Sequence, residues 1–159
     1  MGLDQYLYAE RYISTAAWRG QESNTLFEQI ESTCDIAKYL DKSLQGDDYQ
    51  SGAISFKVGY WRKANQIHKW FVDNCQDGED NCAKYYIDRE RLSELKQLCD
   101  EVLADKSKAN DLLPVQEGFF FGSTEYDEWY FKDVDRTSKL IGKLLETPAD
   151  WEFYYQSSW

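Results

Sequence analysis

The single histidine of the chain, His68, is the side chain best suited to proton transfer near neutral pH. On a helix of about 100° per residue it falls in an apolar arc between Ala64 and Phe71, which predicts a buried imidazole. Asp133 interrupts the apolar arc of a later helix, and a buried carboxylate needs a partner. His68 and Asp133 are therefore a candidate buried polar pair, either a structural link or the floor of a pocket, and the structural alternative is favoured.

The sequence has no recognisable catalytic signature. Nucleophile elbow, phosphate loop, zinc signature and dinucleotide fingerprint are all missing. Four cysteines and one histidine provide no set of zinc ligands at the usual spacings. Cys34 and Cys99 fall on apolar helix faces and are predicted core residues, whereas Cys75 and Cys82 bracket a turn-like loop. The second pair is expected as thiols, or as a disulfide in an oxidising compartment. We assign no catalytic residue, metal or cofactor.

One basic island stands out in an acidic chain of net charge −11. Residues 57–70 carry four basic and no acidic residues, whereas residues 1–56 carry nine acids against four bases and residues 71–159 carry twenty against ten. Placed on a helix over residues 59–72, the island has a cationic face with an exposed indole expected near each boundary. This face is either a binding surface or an ordinary solvated helix face. The candidate binding residues are Trp61, Arg62, Lys63, Lys69 and Trp70.

A second candidate surface is the aromatic and acidic block Tyr126, Asp127, Glu128 and Trp129 at the start of the last long helix. Exposed tyrosine and tryptophan are common interface anchors, which favours a recognition patch. The alternative is that the acids simply complement the helix dipole in the first turn.

The elements that must position these residues indicate an α+β fold over a single domain, residues 1–159. About four helices are expected to pack on a small, mainly antiparallel sheet. The predicted helices begin at Asn24 or Thr25 and end near Leu44, and cover residues 59–72, 88–105 and 125–146. The predicted strands lie at the N-terminus and at residues 53–58, 84–87, 118–122 and 151–155. Residues 15–23 are predicted as a polar loop.

Charge and hydropathy limit the partners. A net charge of −11 argues against direct binding of duplex nucleic acid. No apolar run of about 18 residues predicts a membrane span, and no secretion signal is apparent, so a cytoplasmic protein is expected. The sequence leaves the oligomeric state open.

Three blocks carry a family resemblance: MGLDQYLY at residues 1–8, VGYWRKANQIHKWFV at 58–72 and LLPVQEGFFFGSTEYDEWYF at 112–131. Together they resemble a family of small, mostly uncharacterised bacteriophage and prophage proteins. The resemblance implies an accessory protein that acts in the cytoplasm of the bacterial host. Such proteins often bind host factors or counter host defence.

Three functions follow, in order of preference. The first is a non-enzymatic protein that binds and inhibits or redirects a bacterial host protein. The second is a binder of a small anionic ligand such as a nucleotide or phosphate, with Arg62 and Lys63 on the phosphate and an aromatic ring stacked on a base. The third is an enzyme that uses His68 with a carboxylate.

Overall fold

The computed structural model describes residues 2–34, 46 and 49–159. Within these ranges the chain forms four strands and five α-helices in an α+β fold with an antiparallel sheet, which confirms the predicted fold class. In chain order the elements are β1 Asp4–Ser14, α1 Gly20–Thr33, β2 Ser51–Arg62, α2 Asn65–Cys75, β3 Tyr85–Ile87, α3 Arg89–Ala104, α4 Ala109–Leu112, α5 Glu128–Leu145 and β4 Glu152–Ser158. Over the described ranges, no helix combines the length and hydrophobicity that crossing a bilayer requires.

The strands lie in the order β2-β1-β4-β3. β3 pairs antiparallel with β4, with Ile87 opposite Phe153. Along β1 the buried Leu7 and Ala9 alternate with the half-buried Tyr6 and Tyr8. This period of two is typical of a strand in a sheet that is covered on one face only.

The chain divides into two compact units, residues 10–55 and residues 1–9 with 56–159. In the smaller unit, Phe27 of α1 is buried, and Ser14 joins two segments. The Ser14 N–H lies 2.9 Å from Ser23 Oγ, and its hydroxyl donates to the Gln50 carbonyl at 2.9 Å. The single domain expected over residues 1–159 stays a prediction.

The core of the larger unit lies between the sheet and the helices. Phe71 of α2 stacks on Tyr155 of β4, with ring centroids 4.0 Å apart. Helices α3 and α5 pack against each other through fully buried side chains that include Leu95 and Ile141. Gly59 allows β2 to pack closely against α5, because a Cβ at that position would lie 2.8 Å from Leu140 Cδ2 of that helix.

The prediction of one helix over residues 59–72 is wrong at its start. Strand β2 continues to Arg62, and α2 begins only at Asn65. Between them Lys63 has a φ of 61°, in the left-handed region, which separates strand from helix. Gly59, where the predicted helix begins, therefore lies inside the strand.

Residues 118–122 form a turn and not the predicted buried strand. The Phe121 N–H donates to the Gly118 carbonyl at 3.1 Å, and Gly122 has a φ of 92°. Phe119 is 95% exposed, whereas Phe121 is buried. Three consecutive apolar residues thus point in different directions, because a turn does not alternate as a strand does.

Helix α1 begins at Gly20, so most of the loop predicted at residues 15–23 is helical. The helix ends at Thr33, and Cys34 is exposed, which corrects its assignment to the core. The predicted continuation to Leu44 falls mainly on residues 35–45, outside the described residues.

The predictions of α3 and α5 from apolar periodicity are confirmed. Asp88 caps α3 by accepting a hydrogen bond from the Arg91 N–H at 2.6 Å. On α5, Asp135 and Lys139 form an ion pair at 2.6 Å. The cap of α5 is Asp127, so the helix begins at Glu128, later than the predicted start at residue 125.

Candidate binding cleft

The junction between β2 and α2 is held in an unusual backbone conformation. Lys63 adopts its positive φ while its N–H donates to the Leu3 carbonyl at 2.8 Å. A Cβ added to Gly122 would lie 2.9 Å from Lys63 Cβ, so glycine is required where the turn at residues 118–122 meets the junction. Non-glycine residues with a φ in the left-handed region are uncommon and concentrate at functional sites.

Asn65, the first residue of α2, fixes the neighbouring loop. Its Nδ2 donates to the carbonyls of Phe121 and Ser123, at 3.1 and 2.8 Å, and its Oδ1 accepts from the Gln116 N–H at 3.1 Å. Asn65 is itself buried, so these bonds replace all contact with water. This residue was not predicted from the sequence, where its only signal is an amide at a helix start.

Trp61 connects β2 to α5. Its indole is fully buried, and Nε1 donates to Thr137 Oγ1 at 2.8 Å. The Thr137 hydroxyl in turn donates to the Asp133 carbonyl one turn earlier. The end of β2 is thereby held against the first half of α5.

A cleft of about 390 Å³ lies between these two elements. One wall is the β2–α2 junction, and the other is the start of α5 with the loop before it. Its lining residues are Tyr60, Arg62, Lys63, Gln66, Ser123, Glu125, Asp127, Trp129, Tyr130, Asp133 and Arg136.

The charged side chains of the cleft differ in whether they interact with other groups of the protein. Asp127 accepts hydrogen bonds from the N–H groups of Trp129 and Tyr130, and so caps α5. Arg136 donates to the Tyr60 carbonyl and lies 3.9 Å from Asp133. Burial raises the pKa of Asp133 above its usual range, because the charged carboxylate loses solvation.

Arg62 and Lys63 differ from the other charged residues of the cleft. Both are exposed, and neither has a salt-bridge partner within the part of the chain that the structure describes. Their charges are therefore available to a bound molecule.

Gln66 forms part of the cleft lining and is 3% exposed. Its Nε2 is buried and, like the Nε2 atoms of Gln50 and Gln76 elsewhere in the chain, has no hydrogen-bond partner among the described residues. A buried amide donor without a partner is rare in folded proteins and calls for an explanation.

The structure separates the predicted binding residues into two groups. Arg62, Lys63, Asp127 and Trp129 line the one cleft, although they come from two distant blocks of sequence. The other five do not line it. Those residues are Trp61, Lys69, Trp70, Tyr126 and Glu128.

The indoles expected at the boundaries of the basic face are both buried, Trp61 at 0% and Trp70 at 6% exposure. Trp61 is covered because it lies on a strand facing α5, and the ring of Trp70 packs edge-on against Phe71 at 5.3 Å. Lys69 pairs with Asp73 at 2.7 Å. These three side chains therefore do not form the predicted exposed surface.

Two residues of the aromatic and acidic block have local partners. The Tyr126 hydroxyl donates to Asn110 Oδ1 at 3.0 Å, and its ring packs on Tyr130 with centroids 5.0 Å apart. Glu128 lies 3.7 Å from Lys132, one helical turn later.

His68 is buried as predicted, but its carboxylate partner is Asp80 and not Asp133. His68 Nε2 lies 2.9 Å from Asp80 Oδ2, and Nδ1 lies 2.9 Å from the Tyr155 hydroxyl. Asp80 comes from the loop after α2, a placement that helical periodicity does not predict. Asp133 lies on α5 and lines the cleft instead.

The His68 contacts belong to a longer row of hydrogen bonds. Gln5 Nε2 donates to the Ala64 carbonyl at 3.1 Å, so its oxygen faces the Tyr155 hydroxyl, also at 3.1 Å. Tyr155 must then donate to Gln5 and accept from His68 Nδ1.

A further aromatic surface, which was not predicted from the sequence, lies on the other face of the sheet. Tyr6 packs on Tyr60 with ring centroids 5.6 Å apart, and Lys84 lies 4.9 Å from the ring centroids of both Tyr8 and Tyr154. The alternation of Leu7 with its tyrosine neighbours was the available signal.

Comparison with known proteins found no relative of this chain. No protein-family model, no curated protein and no solved structure matches the chain.

Proposed function

We propose that this chain is a non-enzymatic, phage-encoded accessory protein that binds and inhibits or redirects a bacterial host protein in the host cytoplasm. The binding face is the cleft between the β2–α2 junction and α5, together with the exposed turn beside it. The observation that carries the proposal is a pair of cations, Arg62 and Lys63, that have no salt-bridge partner among the described residues and share one cleft with the 65% exposed indole of Trp129.

The composition of this face is typical of protein interfaces. Tryptophan, tyrosine and arginine dominate binding hot spots, and the two aromatic residues bury a large area with few rotatable bonds. Phe119, at 95% exposure, lies in the turn that contacts Lys63 through Gly122. An apolar ring this exposed gains free energy when a partner covers it.

The surroundings of His68 support binding over catalysis. Both ring nitrogens are engaged, by Asp80 and Tyr155, and the imidazole is fully buried. A general base must reach the proton that it removes. His68 instead joins α2 to β4 and to the loop after α2.

The test is affinity capture from a bacterial host lysate with four tagged proteins. Wild type is compared with Arg62→Glu and Trp129→Ala, and with a control carrying Lys108→Glu and Tyr86→Ala. The control removes an equally exposed cation and a 56% exposed aromatic ring outside the cleft.

The expected result is one protein retained by wild type and control in a fixed ratio and lost from both cleft variants. Titration calorimetry with that purified protein should show binding weakened at least tenfold by each cleft substitution. Equal capture by all four proteins would contradict the use of this face.

The second candidate is a protein that binds a small anionic ligand, a nucleotide or phosphate. The Gln66 amide, which has no partner in the described ranges of the chain and lines the same cleft as Arg62 and Lys63, favours it, since these are the donors that an oxyanion requires. Thermal shift in the presence of nucleoside mono-, di- and triphosphates or inorganic phosphate tests it. A rise in melting temperature that disappears in Arg62→Gln would support this function.

A further inference from the structure

We propose that the cleft holds one carboxylate of the partner protein, an aspartate or glutamate side chain, between Arg62, Lys63 and the amide of Gln66. The inference rests on the proposed function and specifies the chemistry by which the partner is recognised.

The ends of both cationic side chains lie near one residue, Gly2. A Cβ added to Gly2 would lie 3.2 Å from Lys63 Cε and 3.9 Å from Arg62 Nη2. Gly2 precedes Leu3, whose carbonyl accepts from the Lys63 N–H, so both side-chain ends lie beside the β2–α2 junction that forms one wall of the cleft. Because Lys63 has a positive φ, it does not continue the alternation of a strand, which would send it to the face opposite Arg62.

Gln66 supplies a neutral donor beside these charges. It follows Lys63 by three residues, at the start of α2, and its buried Nε2 lacks a partner in the described part of the chain. Leaving a buried donor unsatisfied costs free energy that an acceptor within the cleft would recover. The donor set is then a planar guanidinium fork, an ammonium group and an amide, and a carboxylate can accept from all three.

The carboxylates of the cleft do not fill this role. Asp127 is committed to the N–H groups at the start of α5, and Asp133 lies beside Arg136 on the opposite wall. Neither these two nor Glu125, the third carboxylate of the cleft, forms a salt bridge with Arg62 or Lys63. Among the described residues of the cleft, no carboxylate therefore pairs with these two cations.

Charge balance favours a singly charged acceptor over phosphate. The cleft contains three cations, Arg62, Lys63 and Arg136, and three carboxylates of its own, Glu125, Asp127 and Asp133. In a protein of net charge −11, the field opposes the approach of multiply charged anions. One carboxylate, carried on a segment whose apolar atoms cover Trp129, avoids this repulsion.

The test is a ¹⁵N-edited NMR titration that follows the Gln66 side-chain NH₂ signals. The probes are capped tripeptides, Gly-Glu-Gly and its matched Gly-Gln-Gly, and inorganic phosphate. The Gln97 amide, which donates to Glu101 at 3.0 Å on an exposed face of α3, is the internal control signal. Spectra of Arg62→Gln and Gln66→Leu establish that each variant is folded.

The expected result is a saturable shift of the Gln66 signals with Gly-Glu-Gly, none with Gly-Gln-Gly and none at Gln97. Arg62→Gln should weaken that binding about tenfold, the usual effect of losing a charge-assisted hydrogen bond. No shift with the glutamate peptide, or a tighter response to phosphate than to the peptide, would overturn the proposal.

The carboxylate subsite and the proposed function can be contradicted independently of each other. If the captured host protein still requires Trp129 but binds Arg62→Gln and Gln66→Leu with wild-type affinity, the carboxylate subsite is wrong and the interaction face stands. If the glutamate peptide binds at Gln66 but no host protein depends on the cleft, the subsite stands and the proposed function is wrong.

Discussion

The indole Nε1 of Trp61 donates a hydrogen bond to the Thr137 hydroxyl at 2.8 Å, and this contact fixes the two walls of the cleft to each other. Trp61 is on β2, next to Arg62, and Thr137 is on α5, next to Arg136. Trp61→Phe should therefore lower the free energy of unfolding by about 1–3 kcal/mol, from the lost hydrogen bond and the remaining space.

Chemical denaturation of Trp61→Phe, Thr137→Val and the double variant measures the coupling. Because Thr137→Val alone leaves a buried indole N–H without an acceptor, the double variant should lose less stability than the sum of the single variants. Strictly additive losses would show that the bond contributes nothing.

Lys63→Gly should separate folding from binding. Glycine adopts a positive φ without the penalty of about 1–3 kcal/mol that a side chain incurs there. It is more flexible in the unfolded chain, so stability should be unchanged or higher by about 1 kcal/mol, as measured by urea denaturation. Partner binding should fall, since the charge is gone. A loss of stability in Lys63→Gly, or no greater loss in Lys63→Val, would contradict this account of the junction.

The row through His68 predicts a graded response to substitution. His68→Ala should destabilise the fold by about 1–3 kcal/mol, because it leaves a cavity and unpaired groups on Tyr155 and Asp80. His68→Gln should lose less.

Urea denaturation of wild type, His68→Ala and His68→Gln measures these losses. Equal losses in the two variants would contradict this account of the row.

Asp133→Asn should stabilise the protein at neutral pH. Burial raises the pKa of Asp133 in the folded state, so ionisation costs more there than in the unfolded chain. Below the unfolded value, roughly 3.9, both states hold the proton and the carboxyl incurs no penalty. As pH rises above that value, wild type loses stability relative to Asp133→Asn, until the pH passes the folded pKa.

Urea denaturation from pH 3.5 to 8 measures this difference. Asp135→Asn, on an exposed part of the same helix, is the matched control and should show little change. A wild-type protein more stable than Asp133→Asn at neutral pH would contradict the prediction.

The cysteines should react in order of their exposure. Burial raises the pKa values of Cys75 and Cys99 to about 12, so little thiolate forms in the folded protein. Cys34 is exposed. Labelling with N-ethylmaleimide, followed by mass spectrometry, should modify Cys34 first and Cys99 only in denaturant. Cys99 labelling as fast as Cys34 without denaturant would be inconsistent with this core.

Periodicity predicted the parts of the fold that depend on local sequence. Helices α3 and α5 each present a continuous apolar stripe, and Asp88 is an effective cap, so both were found within a few residues of their ends. The boundary after Arg62 was missed because an apolar pattern with Tyr60 and Trp61 fits a helix and a strand equally well.

Tertiary contacts decide the rest. The turn at residues 118–122 is held by Asn65, more than fifty residues earlier, and the partner of His68 comes from a loop without periodicity. The sequence indicated Arg62 and Lys63 in one block and Asp127 and Trp129 in another. That the two blocks share a cleft depends on packing between β2 and α5, which local patterns do not encode.

The strand order β2-β1-β4-β3 sets the timing of folding. Gln5 of β1 and Tyr155 of β4 are hydrogen-bonded neighbours in the middle of the sheet, although 150 residues separate them. During synthesis on a ribosome, the edge of β1 that faces β4 therefore stays unpaired until nearly the whole of this sequence has been made. Contacts this distant slow folding and leave strand edges exposed to other chains in the meantime. Nascent chains that lack residues 152–158 are thus expected to be early substrates for chaperones and proteases.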